Sequence, residues 1–241
     1  MSNVYLVRHG QAGTREDYDS LSDLGKQQAR LLGEYLSRQD LEFTAAYCGA
    51  MQRQQQTASE IRSALNLAGK PFPEIVADNR WDEFDLARIY KELAPVLCET
   101  DEEFRIGYEE MIREVKQHAG ADAEVHRQWR SCDTRMVETW VAGTLPYSGE
   151  TWNQFCDRVS TCELLFNDRQ QHENVIVFTS ATPASVMTSL ALGLRDKQIR
   201  QLAGVLYNSS YTLLHRGAEK LRLIQFNAVP HLREPSLRTH R

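Results

Sequence analysis

No window of this chain approaches the roughly 18 consecutive apolar residues that a membrane-spanning helix needs. The N-terminus offers only Val4 to Val7 before Arg8, too short for the apolar core of a signal peptide. A soluble, unexported protein is the expectation. The five cysteines, Cys48, Cys98, Cys132, Cys156 and Cys162, are odd in number and contain no C-x-x-C pair, which argues against a disulfide framework and a zinc ribbon and points to a reducing cytoplasm. Glycine and proline are scarce, 13 and 7 of 241 residues, so collagen-like and low-complexity chains are excluded. There is no excess of positive charge: 28 Lys and Arg stand against 33 Asp and Glu, a formal net charge of −5. The surface as a whole does not attract polyanions, and nucleic acid is not an expected partner.

What is present is a folded chain, 41% hydrophobic and 25% charged, long enough for one large α/β domain. Val4 to Val7 is a continuous apolar run that stops at Arg8-His9-Gly10, the pattern of a central strand buried on both faces. Ser22 caps a helix with Leu24, Leu31, Leu32, Tyr35 and Leu36 on one face. Residues 43–48 form a second strand and 52–67 a second helix, striped by Ala58, Ile61, Ala64 and Leu65. Between about Leu86 and Leu145 there are two amphipathic helical patterns and no strand. The first opens with a Thr100-x-x-Glu103 capping box and carries Phe104, Tyr108, Met111, Ile112 and Val115; the second runs through Val125, Trp129, Cys132, Met136, Val137 and Trp140. Both stripes read as packing. A third helix begins near Gly149-Glu150 with Trp152, Phe155, Cys156 and Val159 inward. Val175 to Phe178 is another buried strand ending in a polar turn, Thr179-Ser180-Ala181-Thr182, with Pro183 at the first helical position after a Thr cap and a helix to Leu194. Residues 205–214 and 221–226 read as two last strands. The expected fold is an α/β three-layer sandwich with a mostly parallel central sheet, one domain over 1–241 with a helical cap inserted at about 86–145.

In an open α/β sheet, ligands bind outside the carboxyl ends of the strands, where Arg8-His9-Gly10 falls. An imidazole is a competent nucleophile when one ring nitrogen is pinned and the other free. Arg8 offers a donor fork matched to phosphate oxygens. Alone, the pair is better read as a solvated turn or a satisfied structural histidine; its place at the strand end shifts that balance.

The wider pattern carries a family resemblance. Leu6-Val7-Arg8-His9-Gly10-Gln11 resembles the signature of the histidine phosphatase superfamily, phosphoglycerate mutase-like branch. Leu21-Ser22-x-x-Gly25-x-x-Gln28-Ala29, Cys48 to Ala58 with Arg53, Trp81-Asp82-Glu83-Phe84 and Pro146 to Thr151 with Gly149-Glu150 resemble further family segments, in family order. The resemblance implies that His9 attacks a phosphoryl group and becomes phosphohistidine. Arg8 and Arg53 would neutralise the phosphate, Glu83 would protonate the leaving oxygen, and water would release phosphate, with no metal or other cofactor. Fixed positive charge is the main thing a protein supplies to such a transfer. Asp82 and Asp85 compete with Glu83 for the acid's role. The expected substrate-binding set is Arg8, Gln11, Arg53, Ser180 and Ala181, and the partner a phosphorylated small molecule.

One departure stands out. Thr179-Ser180-Ala181-Thr182-Pro183 replaces the family's second histidine and its two glycines, with Ser180 at the histidine's place. Losing a charge-assisted hydrogen bond costs about 1.5 to 3 kcal/mol, roughly ten- to a hundredfold in rate, against which the Ser180 hydroxyl and the start of the next helix offer donors. Three readings stay open: a phosphomonoesterase with a modified pocket, a phosphate-binding pseudoenzyme, and a phosphoglycerate mutase, the last against the Gln11-Ala12-Gly13-Thr14 that follows the signature. Ser180 lacks the G-x-S-x-G setting of a hydrolase nucleophile. His118, His126, His172, His215, His231 and His240 show no metal-ligand spacing; His231 is placed to approach the site, and Arg233, Arg238 and Arg241 read as a solvated tail. Oligomeric state and the natural substrate are not readable from the chain.

Overall fold

Strand β1 (Ser2–Arg8) alternates its side chains, Val4 and Leu6 to one side, Tyr5 and Val7 to the other, and Val4, Leu6 and Val7 are shut off from solvent. A strand apolar on both sides is stable only between two layers, and the fold supplies them. In the computed structural model, which describes residues 2–118, 123–167, 173–218 and 220–240, β1 lies inside a six-stranded sheet; His172 and Arg241 fall outside the described residues. The other strands are β2 (Ala45–Cys48), β3 (Ile75–Ala77), β4 (Asn174–Thr179), β5 (Tyr211–Arg216) and β6 (Leu221–Ala228), in spatial order β3-β2-β4-β1-β5-β6. Only β5 runs against the rest. β1 and β4 pair in register, Arg8 opposite Thr179.

The connections after these two strands leave in opposite directions, from β1 across to β2 and from β4 across to β5. Their carboxyl ends therefore flank the point where crossovers diverge, which is where an open sheet leaves a crevice.

The chain divides into two compact units. The larger runs from the start of the chain to Gly13, over Asp17–Glu83, and from Arg158 onward. On one face of its sheet lie helices α1 (Asp23–Ser37) and α2 (Gln52–Leu67), whose Ala29, Leu32, Leu36, Ala58, Ile61 and Leu65 pack on Val7, Ala46, Ile176 and Phe178. The Ser22 hydroxyl caps α1 by accepting from the Gly25 amide, as the sequence predicts. Other helices come later in the chain, and their numbering follows it.

The smaller unit comprises Thr14–Glu16 and Phe84–Asp157. Here the structure departs from the two-helix expectation. Helix α3 (Leu86–Thr100) precedes the others, its stripe of Ile89, Leu93, Ala94 and Leu97 obscured in the sequence by an internal Pro95. Helix α4 (Glu102–Gln117) is capped by Asp101, which accepts from the Phe104 amide, and not by Thr100, whose hydroxyl turns back to the Val96 carbonyl. The second pattern splits into α5 (Glu124–Arg127) and α6 (Ser131–Ala142), because Arg130 is extended and the Asp133 carboxylate takes its amide. Trp129 falls in the break and is 47% exposed, not packed inward. Helix α7 (Trp152–Ser160) begins near the predicted start, and its Trp152 and Phe155 close an aromatic cluster with Phe84 and Trp140.

Back in the larger unit, helix α8 (Ala181–Leu192) packs on β1, β5 and β6. Its N-cap is Ser180 rather than Thr182, so Pro183 is its third residue, still within the first turn where no amide proton is missed. Residues 182–189 are buried all round, tolerable because Ser185 and Thr188 donate to the carbonyls of Ala181 and Ala184. Helix α9 (Asp196–Val205) takes the start of the predicted strand at 205–214, and β5 begins only at Tyr211, after a turn in which Ser209 has a positive φ of 59°. The short β3 gave no period-two signal and was not anticipated.

The smaller unit is organised around a buried charge. Asp133 is inaccessible and accepts from both terminal nitrogens of Arg15 (3.0 and 2.7 Å), the Tyr90 hydroxyl (2.8 Å) and the Arg130 amide (2.8 Å). Burial works against its charge, but the Arg15 pairing outweighs burial and holds the carboxyl below its ordinary value. Replacement Asp133→Ala strands the Arg15 guanidinium and is expected to cost about 3–5 kcal/mol. Urea unfolding of the variant reads this directly, and a loss under about 1 kcal/mol contradicts it.

Candidate active site

The peptide of His9 is gripped from both sides of β1. Its amide donates to the Thr179 carbonyl (2.9 Å) at the end of β4, and its carbonyl accepts from the Ser209 amide (3.1 Å) in the turn before β5. The Gly10 amide donates to the Thr57 hydroxyl (3.1 Å), whose proton goes to the Arg53 carbonyl (2.7 Å), joining the signature turn to α2. A side chain is sterically excluded at Gly10: a Cβ there would lie 2.3 Å from the Gly25 carbonyl oxygen, and one on Gly25 2.1 Å from that of Gln11. The turn and the first turn of α1 thus meet backbone to backbone.

This grip presents the imidazole of His9, only 2% exposed, in one tautomer. Its Nδ1 lies 2.7 Å from the Gly10 carbonyl, which can only accept, so Nδ1 carries the proton. The Nε2 lone pair accepts from Nε of Arg53 (3.3 Å). Burial first, then the charges of Arg53 and Arg8, push the His9 imidazole well below its ordinary pKa. The ring is neutral, with its unprotonated nitrogen aimed at a guanidinium.

Both guanidinium groups are buried, Arg8 at 5% and Arg53 at 4% exposure. Arg8 donates through Nη1 to the Leu206 carbonyl, and its buried Nε has no partner among the described residues. Burial, assisted by Arg53, lowers the Arg8 pKa while Tyr18 and Glu83 hold it up; a guanidinium remains charged throughout. Arg53 pairs through Nη1 with Asp19 Oδ1 (2.9 Å) and lies over the Tyr18 ring, 4.9 Å from its centroid. The other Asp19 oxygen takes the Gln52 amide at the start of α2 (3.2 Å).

Glu83 reaches the start of α8, where Oε2 accepts from the Thr182 amide (3.1 Å). Its two sequence competitors are occupied elsewhere: Asp82 Oδ1 accepts from the Ala50 amide (2.6 Å) in the turn before α2, and Asp85 caps α3 through the Arg88 amide (2.9 Å). Burial raises the Asp82 carboxyl. Ser180, 1% exposed, accepts from Nε2 of Gln54 (2.9 Å), which leaves its hydroxyl proton to donate. Ala181 is the first residue of α8. Gln11 is turned to α1, its side-chain oxygen accepting from the Ser22 hydroxyl (2.9 Å) and its amide donating to Gln28 (2.8 Å).

His231 is buried with its ring turned to Ser209. The Ser209 hydroxyl gives its proton to the Gln28 carbonyl, so it accepts from Nε2 of His231 (3.2 Å), and burial pushes that imidazole down to about 3. Sequence reasoning missed Asp19, Gln54, Thr57 and Asn208. The available signal was in α2, where Arg53, Gln54 and Thr57 form a polar stripe at helical spacing within a buried face.

With the geometry described, comparison with known proteins has a clear result. The model of the histidine phosphatase superfamily (branch 1) matches residues 4–104 and 94–229, and the chain belongs to that superfamily. It is 31% identical over 105 residues to "Serine/threonine-protein phosphatase Pgam5, mitochondrial" of Caenorhabditis briggsae, a match over 39% of this chain and 37% of that protein. Among solved structures, Bacillus stearothermophilus YhfR shares the fold with a TM-score of 0.63 at 18% identity, over 96% of this chain and all of that one. A mycobacterial glucosyl-3-phosphoglycerate phosphatase does so at 0.56 and 16%, over 94% and 98%. Among the described residues no helix is long and apolar enough to cross a membrane.

The His9 assignment is open to direct measurement. Nitrogen NMR of labelled protein from about pH 8 to about pH 5 is expected to show one His ring locked as the Nδ1–H tautomer with no titration near the ordinary value of about 6.5. A His9 signal that titrates there overturns the assignment.

Proposed function

We propose that the protein hydrolyses phosphate monoesters of small molecules through a phosphohistidine at His9. The observation that carries this reading is the buried imidazole with Nδ1 on the Gly10 carbonyl and Nε2 directed at one of two buried guanidinium groups. In the proposed step Nε2 forms a bond to phosphorus as the ester P–O bond breaks, and the Glu83 carboxyl gives its proton to the departing oxygen. Water then attacks phosphorus, returns a proton to Glu83 and breaks the P–N bond, which restores His9 and frees phosphate. Arg8 and Arg53 balance the charge spread over the equatorial oxygens.

The ester phosphate must take Arg53 from its present partners. Nε swings its hydrogen bond from the ring to a phosphate oxygen, and Asp19, with a side chain 50% exposed, gives up Nη1. Ser180 supplies a neutral hydroxyl donor where an imidazolium would give a charge-assisted one, so turnover is lower than a second histidine would support. Substrate contacts from Gln11 require its side chain to leave Ser22; Ala181 contributes through its place at the start of α8. The five cysteines are free, which supports placement in a reducing cytoplasm.

Phosphate release from an aryl phosphate in chelator tests the reading, with His9→Ala expected to abolish it; equal rates remove the enzyme and leave an anion-binding protein. Ser180→His is expected to raise turnover about ten- to a hundredfold, and unchanged turnover means the pocket is rebuilt around serine. Asp19→Asn frees Arg53 and is expected to lower KM up to about fivefold, in keeping with a partly exposed ion pair of roughly 0.2–1 kcal/mol. A raised KM means Asp19 helps to hold substrate.

A further inference from the structure

The chain end beside the site is built into it by a closed series of directed hydrogen bonds. The Gln11 amide can only donate, so the Gln28 atom that meets it at 2.8 Å is Oε1. Nε2 of Gln28 then faces the chain end, donating to the Leu237 carbonyl (2.7 Å) and to the Thr239 hydroxyl (2.9 Å). Having accepted there, Thr239 sends its single proton to Asn208 (2.9 Å), and the atom that receives it is Oδ1. Nδ2 of Asn208 is thereby left facing the His9 carbonyl (3.4 Å), which can only accept. Each link is determined by the one before, so no amide can be turned over without breaking two bonds. The series begins and ends on the signature turn, at Gln11 and at His9, one residue on either side of Gly10.

Backbone contacts reinforce it. The Asn208 amide donates to the Thr239 carbonyl (2.7 Å), and the His240 ring lies on Tyr207 with centroids 4.2 Å apart. Leu206, next in that segment, is the residue whose carbonyl takes Nη1 of Arg8. Gln28 and Asn208 are both inaccessible to solvent, so a lost partner is not replaced by bulk water.

We propose that Thr239 is a positioning residue for the His9 nucleophile, acting through Gln28 and Asn208 to hold the His9-Gly10-Gln11 turn. This rests on the reading of His9 as the attacking group. The hydroxyl is the essential feature: it is the only atom of the series that accepts from one amide and donates to the other. Thr239→Val keeps the shape and removes it; Thr239→Ser keeps it.

The test compares wild type, Thr239→Val and Thr239→Ser in two arms. In aryl phosphate hydrolysis, Val is expected to lower kcat about tenfold with KM within about twofold, and Ser to restore the wild-type value, since a displaced nucleophile loses rate more than ground-state binding. In amide hydrogen exchange, which needs no turnover, Val is expected to speed exchange at Gln11 and Ser209 about tenfold while Ser matches wild type. Wild-type exchange at both amides in the Val variant overturns the proposal whatever the kinetics. Accelerated exchange with an inactive wild type leaves the hold of Thr239 on the His9-Gly10-Gln11 turn standing but rejects the hydrolase reading and with it the nucleophile, so the two failures are distinct. If the Val variant does not fold, Thr239→Ala enters the same two arms.

Discussion

Two guanidinium charges buried beside a neutral imidazole are the condition on which the rest of this molecule turns. Removing Arg8 and Arg53 from water is costly, and what they meet in return is incomplete: a carbonyl for Arg8, a ring nitrogen and a half-exposed carboxylate for Arg53. Among the described residues the Arg8 Nε has no hydrogen-bond partner, and Glu83 and Asp19 supply the negative charge nearby. Burial first, and then the two guanidinium charges, keep His9 unprotonated, and buried guanidinium groups act on an incoming dianion more strongly than an exposed pair of arginines would. The proposed nucleophile and the proposed phosphate clamp are therefore one electrostatic arrangement, since the charges that attract the ligand also keep the lone pair available.

The surrounding structure holds that arrangement still. Thr57, Gly10 and Gly25 bring α1 and α2 against the signature turn at backbone distance, and β4 and the turn before β5 grip the His9 peptide from opposite sides. Acidic groups cover the helix starts around it. Asp19 takes the first amide of α2, Asp82 the Ala50 amide in the turn before it, and Glu83 one at the start of α8. At both helix starts a carboxylate thus answers the positive end of the helix dipole. Asp19, the half-exposed carboxylate paired with Arg53, is placed to yield.

Much of this was legible in the chain. Val4 to Val7 followed by Arg8-His9-Gly10 marks a buried strand ending in a polar turn, and α2 occupies the predicted residues 52–67. Ser22 caps α1 because a short polar side chain before an apolar stripe has one evident use. The failures have particular causes. Pro95 hid α3, and the apolar spacing across Trp129 suggested one helix where a buried carboxylate, Asp133, captures the Arg130 amide and ends the regular pattern. Val205 looked like strand because β-branched residues favour one, and only the packing of α9 decided otherwise.

The sequence by itself determined the alternation of strands and helices and the presence of an imidazole between basic residues at a strand end, because periodicity and turn chemistry are local properties. Which carboxylate meets the start of α8, what Arg53 pairs with, and how residues near the chain end reach the His9 turn were decided by the tertiary structure alone. Glu83 meets Thr182 across 99 positions, and Asn208 meets His9 across 199. Contacts over such separations leave no periodic trace in the chain; they exist only because a shared sheet brings distant segments to the same edge, where each buried polar group must find its partner.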